Sequence, residues 1–190
     1  MGQQSGAAKD GISLLVEQHD QVKNAFATLE TASGDKRRET FEMIVRMLAV
    51  HETAEEEVVY PLVRRELPGG DALADARIAE EDQAKEELKN LEKIGVEAPS
   101  FLPKFADFRQ AVLSHAEREE QQVFTPLRQK LDADKLESVY KALTAAEAVA
   151  PTHPHPSAPS SATGNLVVGP FAAIADRVRD ALRSVGSKSH

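Results

Sequence analysis

Apolar residues recur at steps of three and four along most of this chain, the period of a helix with one buried face. The first such run is predicted from about Gly11 to Thr31, with Asp10 as its cap. Its seam reads Ile12, Leu15, His19, Val22, Phe26 and Leu29. Ser33-Gly34-Asp35 breaks it. A second helix is expected from about Lys36 to Glu66, with the seam Phe41, Ile44, Leu48, His51, Glu55, Val58 and Leu62. Pro61 should kink that helix late in its course. Pro68-Gly69-Gly70 reads as a turn, and Asp71 as the cap of a third helix that reaches about Ile94, with Gly95 after it. The third seam is Leu73, Ile78, Glu81, Ala84, Leu88 and Leu91. Ser100 opens a fourth helix with the seam Phe101, Phe105, Phe108, Val112, His115, Glu119, Val123 and Leu127. A shorter fifth helix is expected at about Asp134 to Val149, capped by Asp132 or Asp134.

No stretch alternates with the period of a strand. Four long helices joined by short loops predict an all-α, up-down-up-down four-helix bundle over residues 1–149, the short fifth helix included. The composition then changes. Residues 150–168 are rich in Pro, His and Ser and read as a linker. Residues 169–190 read as a final amphipathic helix with Phe171, Ile174, Val178 and Leu182 on one face. His153 and His155, flanked by prolines, read as spacer rather than ligands.

The polar residues inside these seams change the picture. His51 and Glu55 are four apart and point the same way, and the same figure recurs as His115 and Glu119. An unpaired imidazole and carboxylate cost several kcal/mol on a core face, about 2–7 for each polar group. A metal ion compensates both. In antiparallel helices, residues equidistant from a loop lie at similar heights. Counted from the three loops, His19, His51, Glu55, Glu81, His115 and Glu119 match to within roughly 3–5 Å at 1.5 Å per residue. They are therefore expected to form one polar layer in an otherwise apolar bundle. Three imidazoles and three carboxylates suit two metal ions, with two seam glutamates bridging them. Glu80 and Asp82 compete with Glu81 for the third-helix position. Glu52, Glu56, Glu57 and Glu120 read as solvated or as outer partners. Tyr60 stands nine residues after His51, on the opposite face of an ideal helix. A proline-induced distortion would bring its phenol to the layer as a further ligand candidate. Phe124 holds the corresponding place in the second figure and cannot ligate. His51-Glu52-Thr53-Ala54-Glu55 lacks the second histidine of a zinc-protease helix.

Composition narrows the chemistry. The chain has 190 residues, with 31 acidic against 23 basic side chains and a net charge of −8. That balance disfavours nucleic acid and anionic membranes as partners. There is no cysteine, which excludes disulfides, thiolate metal sites and a thiol nucleophile. Imidazole, carboxylate and phenolate suit Fe, Mn or Zn. Met1 to Lys9 shows no apolar signal core, and no apolar run approaches the ~20 residues of a membrane span. The expected location is the cytoplasm.

The pattern resembles the hemerythrin-like (HHE cation-binding) family over about residues 10 to 147. Both His-x-x-x-Glu figures match it, as does His19 in Glu17-Gln18-His19-Asp20. The resemblance implies a non-haem di-iron centre, oxo- or hydroxo-bridged as well as carboxylate-bridged, with Mn as the lesser choice. One departure stands out. The family usually places a histidine on its third helix, where this chain offers Glu80-Glu81-Asp82. A more carboxylate-rich ligand set favours ferric iron, and so peroxide or nitric oxide chemistry over reversible oxygen carriage. The resulting expectation is a protein that binds or reduces hydrogen peroxide, oxygen or nitric oxide in oxidative or nitrosative stress defence, with catalase-like or peroxidase-like turnover. The alternative is a non-catalytic oxygen, iron or redox sensor or an iron-binding protein, in which the C-terminal helix docks on the bundle as the metal state changes. The sequence leaves the oligomeric state open.

Overall fold

A computed structural model describes residues 9–150. The expected final helix and nearly all of the linker lie outside the described residues. Within them the chain is all-helical, with no strand. Helix α1 spans Gly11–Thr31, and Asp10 caps it by accepting from the Ile12 and Ser13 amides. Helix α2 spans Gly34–Ala54 and runs into a π-helical turn, Glu55–Val59, and then α3, Tyr60–Glu66. Helix α4 spans Gly70–Ile94. Helix α5 spans Phe101–Glu119, followed by a second π-helical turn, Glu120–Phe124, and α6, Thr125–Lys130. Helix α7 spans Ala133–Glu147, with Asp132 accepting from the Lys135 amide.

The long rods α1, α2–α3, α4 and α5–α6 form the bundle. Helix α1 packs on α2, α3 on α4, and α4 on α5, while α7 lies across α1 and α2. The turn into α4 differs from expectation. Gly69, at φ +70°, precedes the helix, and Asp71 sits in the first turn rather than at the cap. A Cβ on Gly70 would meet the Val63 carbonyl oxygen at 2.1 Å, so the close approach of α3 and α4 requires glycine there.

Both prolines resolve their conflict with the helix as a widened turn. Pro61 and Pro126 have no N–H to donate, and their rings crowd the preceding turn. Each stands just after a π-helical turn, at the start of the next α-helical piece. A π turn absorbs one extra residue and so turns later side chains back by about 100°. That shift takes Tyr60 off the face opposite His51.

Two apolar clusters fill the bundle, one on each side of a polar layer. One contains Ile12, Leu15, Val58, Leu62, Leu127 and Leu143, and α7 closes it. The other contains Phe26, Ile44, Leu48, Leu91, Phe101, Phe105 and Phe108. Phe41 meets Phe101 edge-on at 5.2 Å, and Phe26 meets Phe105 edge-on at 5.5 Å. Each buried phenylalanine of this kind stabilises by roughly 1.5–3 kcal/mol. On α4 the buried line near the site is Ala74, Arg77 and Glu81, with Leu73 and Ile78 only partly covered.

Candidate metal centre

The structure brings all six seam polars together. Helix α1 supplies His19 and α2 supplies His51. The first π turn supplies Glu55, α4 supplies Glu81, and α5 supplies His115 and Glu119. Their donor atoms fall into two overlapping groups, each within 4.8 Å. One is His19, His51, Glu55 and Glu119; the other is Glu55, Glu81, His115 and Glu119. Glu55 and Glu119 belong to both. His51 Nε2 lies 3.2 Å from Glu55 Oε2, and His115 Nε2 lies 3.2 Å from Glu119 Oε2. His19 Nε2 lies 3.4 Å from Glu119 Oε2.

The three acids offered on α4 differ in burial. Glu81 is 1% exposed and turns into the layer. The Asp82 side chain is 52% exposed and pairs with Lys85 instead. Glu80 faces outward onto His115.

Each histidine is held from behind. His19 Nδ1 lies 2.9 Å from Glu120 Oε1, His51 Nδ1 lies 2.7 Å from Gln18 Oε1, and His115 Nδ1 lies 2.9 Å from Glu80 Oε2. These outer acceptors draw the ring hydrogen to Nδ1, which leaves Nε2 as the inward donor atom in a neutral ring. Glu80 is itself fixed by Arg77 Nη2 at 2.7 Å and Arg118 Nε at 3.1 Å.

Several of the inward atoms have no partner of their own. Both oxygens of Glu55, Oε2 of Glu81 and Glu119, and Nε2 of His115 are buried without a hydrogen bond. His19 Nε2 faces His51 Nε2 at 3.1 Å. Buried polar atoms are almost always satisfied, and a cation satisfies all of these at once. The donor set therefore fits bound metal.

The electrostatics agree. Burial pushes Glu55 and Glu81 well above the usual carboxylate range, and neighbouring carboxylates push further: Glu119 and Glu81 on Glu55, Glu52 and Glu119 on Glu81. Burial, with His19 beside it, drives His51 down to about 3, so that ring is neutral. Burial lowers His115, but contacts with Glu119 and Glu80 outweigh it and the net shift is upward. Burial raises Glu52 to about 7 against the opposing pull of Lys85.

Tyr60 reaches the layer. Its hydroxyl contacts Glu81 and lies 2.7 Å from Glu119 Oε1. One phenol hydrogen cannot serve two carboxylates. The phenol O–H is placed to donate to either of them in turn. Burial, then Glu119 and Glu81, hold the phenol itself well above its ordinary value. Phe124 stacks on His19, with ring centroids 5.4 Å apart.

A cavity of about 110 Å³ opens onto the centre. Its floor is His19, His51, Glu81 and His115; its walls include Val22, Leu48, Ala84 and Val112; Glu52 stands at its side. Lys85 spans from Glu56 at 2.6 Å to Glu52 and Glu81, each at 3.8 Å. Sequence periodicity did not point to Lys85, Arg77 or Gln18. Gln18 directly precedes a seam histidine, and an amide in that place is the one signal that could have drawn attention to it.

The family model described as the hemerythrin HHE cation binding domain matches residues 10–127. The chain belongs to that family. It is 26% identical over 168 residues to an uncharacterized hemerythrin-like protein of Schizosaccharomyces pombe, covering 87% of this chain and 83% of the relative. It is 29% identical over 120 residues to a DNA nickase of Nostoc, covering 63% of this chain but 34% of that protein. Among solved structures, a hemerythrin HHE cation binding domain-containing protein from Mycobacterium kansasii has a TM-score of 0.64 at 17% identity. That match covers 95% of this chain and 94% of the other, and it shows the shared fold. No helix among the described residues is long and apolar enough to cross a membrane.

Proposed function

We propose that this chain is a non-haem di-iron protein that binds or reduces small oxidants, namely hydrogen peroxide, oxygen or nitric oxide, in oxidative or nitrosative stress defence. The observation that carries the reading is the sharing of Glu55 and Glu119 between two four-residue donor groups. His19 and His51 would complete one ion's set, and Glu81 and His115 the other's. Tyr60 is placed to join the second set. Three carboxylates and a phenol make the set harder than an imidazole-rich one and favour the ferric state.

When bound, the metal pair supplies Lewis-acid and redox chemistry. The chain's own residues do the rest. Val22, Leu48, Ala84 and Val112 wall the approach with apolar surface, which admits small neutral molecules and limits water. Glu52 reaches the same cavity and can hold or release a proton at its carboxylate. Glu120, Gln18 and Glu80 keep the three imidazoles aimed inward. The favoured turnover is disproportionation, two hydrogen peroxide molecules giving two waters and one dioxygen, which needs no external reductant.

The test is peroxide loss followed across preparations that differ in iron content. Loss proportional to bound iron supports the enzyme. Iron-loaded protein that leaves peroxide intact overturns the turnover claim and leaves a binding or sensing protein.

A further inference from the structure

Helix α7 lies beyond the residues that the family model covers, and no candidate ligand sits on it. It nevertheless reaches the centre through two hydrogen bonds. Gln18 Nε2 donates to Glu147 Oε1 at 2.7 Å, and the same amide's Oε1 lies 2.7 Å from His51 Nδ1. A carboxylate only accepts, so Glu147 must face the NH2 end of Gln18. The amide oxygen is then the end presented to His51, and only a hydrogen on Nδ1 satisfies it. A neutral imidazole has one ring hydrogen. With that hydrogen on Nδ1, Nε2 carries the lone pair that faces the donor layer.

We infer that Glu147 is a positioning residue that sets the tautomer of His51 through the orientation of the Gln18 amide, and so makes His51 competent to ligate. The inference rests on the metal reading above for its purpose, but the tautomer is a property of the metal-free chain as well. His19 and His115 have carboxylates as their outer partners, so their orientation needs no relay. His51 alone among these three depends on an amide, which is ambiguous until something fixes its sense. Glu147 does so from a sequence distance of 129 residues.

The test is a swap of roles. In Glu147→Gln, a side chain of the same shape offers an NH2 group, and the Gln18 amide is free to flip. In the double variant Gln18→Glu with Glu147→Gln, a carboxylate at 18 accepts from both neighbours, and the hydrogen returns to His51 Nδ1. Nitrogen-15 NMR of the full-length, metal-free chain reads the tautomer directly. Wild type and the double variant are expected to show His51 protonated at Nδ1, with E147Q shifted toward Nε2. Zinc titration of the same three proteins is expected to show about ten- to hundredfold weaker binding in E147Q, restored in the double variant. Should E147Q not fold, Glu147→Ala removes the acceptor and must show the same tautomer shift. A wild-type His51 protonated at Nε2, or a tautomer indifferent to Glu147, overturns the inference. The expected tautomers without zinc binding in any of the three would count against the metal reading and leave the positioning role intact.

Discussion

The Nε2 atoms of His19 and His51 face each other at 3.1 Å, while both rings point Nδ1 at acceptors behind them, Glu120 and Gln18. A single hydrogen between these nitrogens satisfies the pair in the metal-free chain, but the buried oxygens of Glu55, Glu81 and Glu119 around them have no such partner, and a bound cation would serve nitrogens and oxygens together. Removing metal should therefore leave a folded but weakened bundle. A chelated sample is expected to melt below a loaded one, by about 4 kcal/mol at free metal a thousandfold above its dissociation constant. Paired thermal melts measure this, and equal melting temperatures would count against it.

Loading should also release protons. Glu55 and Glu81 have their carboxyl values raised, so the metal-free fold keeps protons at pH values where an ordinary carboxylate has lost them. His115 is shifted up as well. Metal must displace these protons, so affinity should rise with pH above the ordinary carboxylate range and fall on acidification. Titrating metal into a weakly buffered solution with a pH indicator should show acidification. A pH-independent affinity would contradict the assignment.

Glu80 and Glu120 hold equivalent atoms of two histidines, but their surroundings differ. Glu120 is 42% exposed at its side chain, so water can replace it. Glu80 also accepts from Nη2 of Arg77, which is 5% exposed and whose Nε and Nη1 have no hydrogen-bond partner. Glu80→Ala strands that guanidinium and is expected to cost about 1–3 kcal/mol more than a neutral surface change. Glu120→Ala should cost less than about 1 kcal/mol. Denaturant unfolding of the two variants decides the order.

Tyr60 contacts two carboxylates of the second donor group. As a ligand to ferric iron it would give a band at longer wavelength than the near-ultraviolet bands of bridged iron. Tyr60→Phe is expected to lose that band while keeping its iron. An unchanged spectrum would return Tyr60 to the role of a hydrogen-bonded core phenol.

Ala84 lies on the cavity wall, packs against the phenylalanine-rich cluster and is not itself a candidate ligand. Ala84→Leu should narrow the approach, slowing peroxide loss several-fold with metal content unchanged. Full activity would place the route elsewhere.

The bundle was legible because helix seams are local. Ile12, Leu15, Phe26, Leu48, Phe105 and Leu127 are buried where their period puts them. The polar layer was legible for the same reason, since loop-counted heights depend only on helical rise. What escaped was set by contacts between distant segments or by competition within a turn. The Gln18–Glu147 pair spans 129 residues, and no period connects them. On α4, Arg77 lies buried in line with Ala74 and Glu81 while Leu73 and Ile78 are only partly covered, and its guanidinium serves Glu80, a partner on the next turn that apolar periodicity does not register. Pro61 and Pro126 were visible as breaks. Their answer, a widened turn rather than a kink alone, follows from each helix having to continue packing beyond the proline.

In the proposed centre Glu55 and Glu119 would be shared by two ions. Elemental analysis of the purified protein, with an optical spectrum of the same sample, tests it most directly. The expected result is about two irons per chain, one for each donor group, with near-ultraviolet charge-transfer bands from bridged ferric ions. Protein that holds no metal, and whose stability is unchanged by added iron, would contradict it.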